Sequence, residues 1–189
     1  MSKAIFLDRD GVITKPIFDE KRDEYRPPWS ISEVEFLPHV LESLKEIYNE
    51  GYSLFIVSNQ PDFAKGLIDI KSLKEIRQFV FKTLMVNEIG IRNDYYCWHH
   101  PDFCTCECRK PSPYFLIQAS KMFKLDLKKS WMIGDRNTDV LCGINAGTKT
   151  IKISEVKSDI ADFTAKDLSE AVEIIKFCEK IKKKKENCI

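Results

Sequence analysis

An α/β fold, with a mainly parallel sheet covered by helices on both faces, is what the sequence predicts, from three observations. Short apolar runs alternate with helix-period segments along nearly the whole chain. No internal repeat and no Gly-, Ser- or Pro-rich linker divides the 189 residues, a length that suits one domain with its own core. Three of the apolar runs end in polar turns rich in carboxylates and amides, as strands do when their carboxyl ends form a ligand rim. The domain is expected over 1–181, followed by a basic tail, 182–189, in which Lys182 to Lys185 run in succession and which is expected to fray.

In chain order, "AIFL" (4–7) reads as a strand. The segment "LPHVLESLKEIYNEG" puts Leu37, Val40, Leu41, Leu44, Ile47 and Tyr48 on one face. Pro38 near its start and Gly51 at its end complete a helix signature. "YSLFIV" (52–57) is the next strand. Residues 72–88 predict a helix with Ser72 as N-cap and Leu73, Ile76, Val80 and Leu84 inward. "DYYC" (94–97) is a short strand, 113–123 a helix, "SWMI" (130–133) a strand, and 138–146 a helix ended by Gly147. "TIKI" (150–153) is a strand and 168–181 the last helix. One stretch breaks the rhythm: 14–36 is charged, proline-bearing and aromatic, and is expected to be an irregular substrate loop.

Composition narrows the function. A net charge of +1 gives no electrostatic footprint for nucleic acid, and no apolar run approaches the roughly 20 residues of a membrane span. The first residues enter a strand-like run with no signal-peptide pattern, so a reducing cytoplasm and a monomer without membrane or nucleic-acid partners are expected. In that compartment clustered cysteines read as metal ligands before disulfides. "CWHHPDFCTCECRKP" (97–111) carries such a cluster. Cys97-x-His99 and Cys106-x-Cys108 form two i, i+2 pairs, with Cys104 and His100 also within reach. Four nitrogen and sulfur ligands on a short loop fit a closed, structural Zn²⁺ site, rigidifying the segment that presents Arg109 and Lys110.

The strand ends carry the chemistry. "AIFL" runs into Asp8-Arg9-Asp10-Gly11, "LFIV" into Ser58-Asn59-Gln60, and "WMI" into Gly134-Asp135-Arg136, with Asp139 one turn on. Asp8 and Asp10, two apart on an extended segment, project the same way. With Asp135 they offer the hard oxygen ligands that suit Mg²⁺. A carboxylate is a competent nucleophile towards phosphorus, and a second carboxyl can protonate the leaving alkoxide. Backbone N–H groups near Gly11, Ser58, Asn59 and Lys110 are candidates for neutralising a phosphoryl group.

"DRDGV", "SNQ", "RKP" and "GDRNTD" resemble, in order and spacing, the four motifs of the haloacid dehalogenase-like (HAD) phosphatases. The Cys/His cluster directly before "RKP" is similar to that of the branch acting on D-glycero-D-manno-heptose 1,7-bisphosphate and on histidinol phosphate. The resemblance implies a three-layer, Rossmann-like fold with a minimal cap and a zinc-stapled loop. It implies Asp8 as nucleophile and Mg²⁺ ligand, and Asp10 as general acid/base that also meets Mg²⁺ through its carbonyl. Asp135 completes that site, with Arg136 beside it. Gly11, Ser58, Asn59, Gln60, Arg109 and Lys110 become phosphate and substrate contacts. The family pattern favours Cys97, His99, Cys106 and Cys108 as the zinc ligands.

The activity so implied is a Mg²⁺-dependent phosphomonoesterase working through an aspartyl-phosphate on a small phosphorylated metabolite. The 7-phosphate of the heptose bisphosphate is the leading target and histidinol phosphate the alternative. A zinc-stapled sugar-phosphate-binding module is the non-enzymatic alternative, although Asp8, Asp10, Lys110 and Asp135 are all present. Two stretches depart from the family pattern. Pro61-Asp62-Phe63-Ala64-Lys65-Gly66 stands where Ser-Gly-Ile-Ala-Arg-Gly is usual, and the 14–36 connection is longer. Lys65, Arg22 and Arg26 in these stretches are candidates for a second, non-reacting phosphate.

Overall fold

In the computed structural model, which describes residues 2–186, six parallel strands form one sheet in the order β5-β4-β1-β6-β7-β8. The strands are β1 (Ala4–Leu7), β4 (Ser53–Asn59), β5 (Ile91–Cys97), β6 (Trp131–Gly134), β7 (Lys149–Ile153) and β8 (Phe163–Ala165). β1 lies at the centre, paired with β4 on one side and β6 on the other. Its residues alternate between two cores. Ile5 and Leu7 pack with Val40, Leu44 and Ile47 of α1 (Val40–Asn49), Val80 and Leu84 of α2 (Ile70–Val86), and Ala171 and Ile175 of α5 (Leu168–Glu186). Ala4 and Phe6 face Leu116 and Ala119 of α3 (Tyr114–Phe123) and Cys142 of α4 (Asn137–Ala146). The period of two on the central strand thus serves both faces, giving the three α/β/α layers that the sequence predicts.

Four local expectations need correction. Asp69, not Ser72, caps α2: its carboxylate accepts from the Ser72 N–H at 2.7 Å, and the helix starts at Ile70. β5 begins at Ile91 rather than Asp94, because it is an edge strand whose first residues include the exposed Arg92 and whose pairing slips by one residue opposite Leu54/Phe55, which breaks the apolar pattern. The 14–36 stretch is not wholly irregular. It holds a hairpin, β2 (Ile17–Asp19) against β3 (Glu24–Arg26), then a turn of 3₁₀ helix at Ile31–Glu33. The last helix runs on through Glu186, past the expected end at 181. The final residues of the tail expected to fray, 187–189, lie outside the described residues. β8, three residues at the far edge, has no counterpart among the predicted elements.

The switch in strand order falls at the carboxyl end of β1, between β4 and β6, where ligands bind in open parallel sheets. Among the described residues the hairpin stands above this point where a cap would, together with the end of the Cys/His loop, so the cap is minimal. Among the described residues, no helix is long and apolar enough to cross a membrane.

Candidate active site

Asp8 leaves β1 with its N–H bonded to Ile133 O of β6 at 2.9 Å, which fixes its side chain between the two central strand ends. Asp8, Asp135 and Asp139 are brought together with carboxylate oxygens within 4.8 Å of one another. One lysine answers them. Lys110, 3% exposed, places Nζ 2.9 Å from Asp8 Oδ1, 2.6 Å from Asp139 Oδ1 and 2.6 Å from Val57 O. Burial alone would drive the proton off this ammonium, but Asp139 and Asp8 outweigh it and hold its pKa above the ordinary value.

The carboxylates carry the opposite strain. Burial, aided by Asp139, pushes Asp135 up to about 6. Burial likewise raises Asp8 to about 7, against the lowering pull of Lys110. Asp135 Oδ1 is buried with no hydrogen-bond partner. Two glycines make room for these groups. Gly11 has φ of +91°, and a Cβ there would stand 2.5 Å from Asp135 Oδ2; a Cβ on Gly134 would stand 2.2 Å from Asp139 Cβ. The Asp139 carboxylate also accepts from the Arg136 N–H at 2.9 Å, locking the first turn of α4.

Asp10 stands apart from this group. Its carboxylate takes the Arg9 guanidinium (Nη2 at 2.9 Å, Nε at 3.1 Å), Thr14 Oγ1 at 3.0 Å and Gln60 Nε2 at 2.6 Å. Arg9 is 1% exposed, and as a counter-ion for Asp10 it is the largest feature that the motif reading missed. Nothing local in the charged turn marks it; only its burial shows that it needs a paired acid, which Asp10 supplies.

Three predicted phosphate contacts are committed elsewhere. The Gly11 N–H donates to Thr14 O at 2.7 Å, so this glycine contributes space for Asp135 rather than an N–H. The Asn59 carboxamide bonds the Lys110 backbone twice, donating to its carbonyl and accepting its N–H, both at 3.1 Å. Gln60 bonds Asp10 and, at 2.9 Å, Ser58 Oγ. The reason is the turn after β4, whose next bond runs from Gln60 N–H to Cys97 O at 2.7 Å. Asn59 and Gln60 therefore hold the two ends of the Cys/His loop, and with them Lys110 and Asp10.

Within that loop, Cys97 Sγ lies 3.7 Å from both His99 Nδ1 and Cys106 Sγ, and Cys108 Sγ lies 3.4 Å from His99 Nδ1. Tetrahedral Zn²⁺ with bonds of about 2.3 Å to sulfur and 2.0–2.1 Å to nitrogen gives ligand edges of roughly 3.4–3.8 Å. The four residues therefore fit such an ion. Cys104 is exposed, and His100 turns its Nδ1 to the Asp102 N–H and its ring to Phe103; neither joins the four. Arg109 donates to His99 O at 3.3 Å, inside the loop.

A cavity of about 310 Å³ opens above the carboxylates, walled by the hairpin (Glu24 to Pro27), the turn after β4 and the end of the Cys/His loop. Arg26 does not reach for a ligand: it is forked on Glu33 at 2.8 and 3.0 Å, and Arg22 is paired with Asp19 at 2.7 Å. Lys65, Arg109 and Arg136 line the cavity without a carboxylate in an ion pair among the described residues.

A carboxylate-ended central strand, a buried lysine held between two acids and a hairpin in place of a cap define a phosphoryl-group hydrolase of the minimal-cap kind. Residues 107–172 match the family model for HAD-hydrolase-like proteins. Over 182 residues the chain is 33% identical to the D-glycero-beta-D-manno-heptose-1,7-bisphosphate 7-phosphatase of Helicobacter pylori strain 26695, covering 93% of this chain and 98% of that one. It is 33% identical over 151 residues to the corresponding alpha-anomer phosphatase of Photorhabdus laumondii, covering 77% and 78%. The D,D-heptose 1,7-bisphosphate phosphatase of B. bronchiseptica, crystallised with magnesium and phosphate, matches with a TM-score of 0.78 at 23% identity, over 92% of this chain and 97% of that one. The chain belongs to the haloacid dehalogenase-like phosphatases and is a phosphoric monoester hydrolase.

Proposed function

We propose that this enzyme removes the 7-phosphate of D-glycero-D-manno-heptose 1,7-bisphosphate in a Mg²⁺-dependent reaction, through an aspartyl-phosphate on Asp8. The observation that carries the chemistry is the charge of the buried trio: Asp8, Asp135 and Asp139 with Lys110 as their one ion-paired cation among the described residues, and Asp135 Oδ1 unpartnered. Such a set fits a hard dication, which Asp8, Asp135 and the Asp10 carbonyl would hold while Asp139 stays with Lys110. When bound, Mg²⁺ neutralises these acids and draws charge from the phosphoryl oxygens. Asp8 bonds to phosphorus as the bond to the leaving oxygen breaks, and Asp10 gives that oxygen its proton. Asp10 then takes a proton from the water that attacks phosphorus, releasing phosphate and restoring Asp8. Lys110, fixed by Asn59, keeps Asp8 oriented throughout.

The names of the relatives support the sugar, and the cavity favours two phosphates over a cationic leaving group. Lys65, Arg109 and Arg136 line it; beyond the catalytic acids they meet the Glu24 carboxylate and Asp62, which Trp29 engages, a balance of charge that suits a second phosphate better than a cation. A monomer in the cytoplasm is part of this reading, since the thiolates that the Cys/His cluster needs fit a reducing compartment. The test is phosphate release, with and without Mg²⁺, from both heptose bisphosphate anomers, histidinol phosphate, fructose 1,6-bisphosphate and a 3′-phosphorylated oligonucleotide. A Mg²⁺-dependent kcat/KM about tenfold or more above the others for a heptose anomer is expected. A preference for histidinol phosphate, or a flat profile, would refute the substrate.

Asp10→Asn is expected to slow turnover of the sugar phosphate by roughly 10²–10⁴-fold. Turnover at the parent rate would move the acid/base role to another group. We also infer that Cys97, His99, Cys106 and Cys108 hold a structural Zn²⁺. Burial, and after it Cys106, push the Cys97 thiol up against the lowering bonds of His99 and Cys108, a cost that a bound dication removes. Cys106→Ser is expected to lower Tm and zinc content together, read by thermal unfolding and metal analysis; stoichiometric zinc in that variant would contradict the ligand set.

A further inference from the structure

The two stretches that depart from the family pattern are bonded to each other. Trp29, just beyond the hairpin, donates its indole Nε1–H to Asp62 Oδ2 at 2.8 Å, and Asp62 lies in the Pro61–Gly66 turn directly after Ser58-Asn59-Gln60. Asp62 is 7% exposed although it is an acid in a loop. This bond crosses from one wall of the cavity to the other, since Glu24 to Pro27 form one and Pro61, Asp62 and Lys65 the other.

Both ends of the bond are anchored. On the hairpin side, Glu33 accepts the Trp29 N–H at 2.7 Å and the Arg26 fork, while the Arg26 guanidinium lies 4.0 Å from the centre of the Trp29 ring. Arg26 thereby ties Trp29 to β3, and through Asp19 at 3.7 Å to β2. On the other side, the Asp62 carbonyl accepts the Leu67 N–H at 2.9 Å, closing its turn. Beneath the bond, the Trp29 ring packs on a small apolar cluster of Ile68, Leu73 and Ile76, shared with Trp98 from the start of the Cys/His loop. Away from Trp29, the tip of the hairpin has little to hold it: Phe18 and Tyr25 pair with each other at 5.2 Å but remain 47% and 64% exposed.

We propose that Trp29 and Asp62 form a latch that fixes the hairpin over the cavity, and that this latch sets the affinity for the leaving group without taking part in the chemistry. Both are positioning residues: they act through the hairpin and touch none of the reacting atoms. The effect on affinity rests on the heptose bisphosphate reading, whereas the latch itself is testable without it.

Trp29→Phe keeps the ring and removes the donor, and Asp62→Leu removes the acceptor. Each is expected to raise KM for heptose bisphosphate about tenfold or more, the usual weight of a buried bond to a charged acceptor, with kcat within about twofold. KM for a small aryl phosphate, which does not reach the hairpin, should not move. The double variant should be no worse than either single one, because both remove the same bond. Asp62→Asn keeps an acceptor and should stay close to the parent. A second readout needs no substrate: trypsin should cut the hairpin tip at the exposed Lys21 and Arg22 several-fold faster in Trp29→Phe and Asp62→Leu than in the parent. Unchanged cleavage at the tip overturns the latch. Faster cleavage with unchanged KM overturns its role in affinity, as does an equal rise of KM for the aryl phosphate. Should the parent fail to hydrolyse heptose bisphosphate, the substrate reading falls and the cleavage rates still decide the latch.

Discussion

Asp8→Asn is expected to abolish turnover, by roughly 10⁴-fold or more, while the protein still folds. An amide oxygen is a poor nucleophile towards phosphorus, and the change removes one of the three acids around Lys110. The fold does not depend on this charge. Burial raises the Asp8 carboxyl to about 7, so its proton is bound more tightly in the folded chain than in the unfolded one, where the ordinary value is 3.8. The metal-free protein therefore loses stability as pH rises from about 4 through about 7, as this proton is given up. Asn cannot titrate, so metal-free Asp8→Asn should match or exceed the parent in Tm at pH 8 and show a flatter Tm against pH between 4 and 8. Thermal unfolding across that range, with phosphate release in parallel, checks both parts. A variant that keeps activity would mean another residue is the nucleophile, and a steeper pH profile would mean that Asp8 is charged in the metal-free fold.

The second large effect is expected at Lys110. Lys110→Met retains most of the buried stem but removes the ammonium from between Asp8 and Asp139, and leaves Val57 O without its donor. Breaking a buried pair by removing one partner costs about 3–5 kcal/mol. For a chain of this size that is a fall in Tm on the order of 10 °C without Mg²⁺, and part of it should return when Mg²⁺ is added to the orphaned acids. Activity should fall by about 10²–10³-fold, the range for loss of one preorganised charge-stabilising group. Thermal unfolding with and without Mg²⁺ measures the first effect and steady-state phosphate release the second. An unchanged Tm would mean that the lysine is not the counter-ion holding the trio.

What the sequence disclosed and what it withheld follow from the range of the interactions. Asp8 and Asp135 stood out because each directly follows a buried strand, and Asp10 because it lies two residues beyond Asp8; the end of a parallel strand faces the ligand rim whatever the rest of the chain does. Cys97, His99, Cys106 and Cys108 were legible because i, i+2 pairs on one loop converge locally. The destinations of Asn59 and Gln60 were not. Their carboxamides bond Lys110, 51 residues away, and Asp10, 50 residues away, and an amide beside a strand end reads equally well as a phosphate contact. Arg9 was hidden for a similar reason: within a charged turn nothing local says that its guanidinium is buried. The hairpin lacked a signal because its strands are three residues long and outwardly charged, held by Arg26, Glu33 and Trp29 rather than by an apolar face. β8 is equally short and sits at the sheet edge, where a single buried Ala165 gives no periodicity.

The role of Asp8 as carrier of the phosphoryl group is tested most directly by trapping it. In the Asp10→Asn background, an aryl phosphate whose leaving group needs no proton should still load Asp8, while hydrolysis of the aspartyl-phosphate, which needs the base, is slowed. Rapid acid quench followed by peptide mapping is expected to find covalent phosphate approaching one per chain, on Asp8, and only when Mg²⁺ is present. Release of the aryl alcohol and phosphate with no covalent phosphate on the protein, or with the label on another residue, would contradict it.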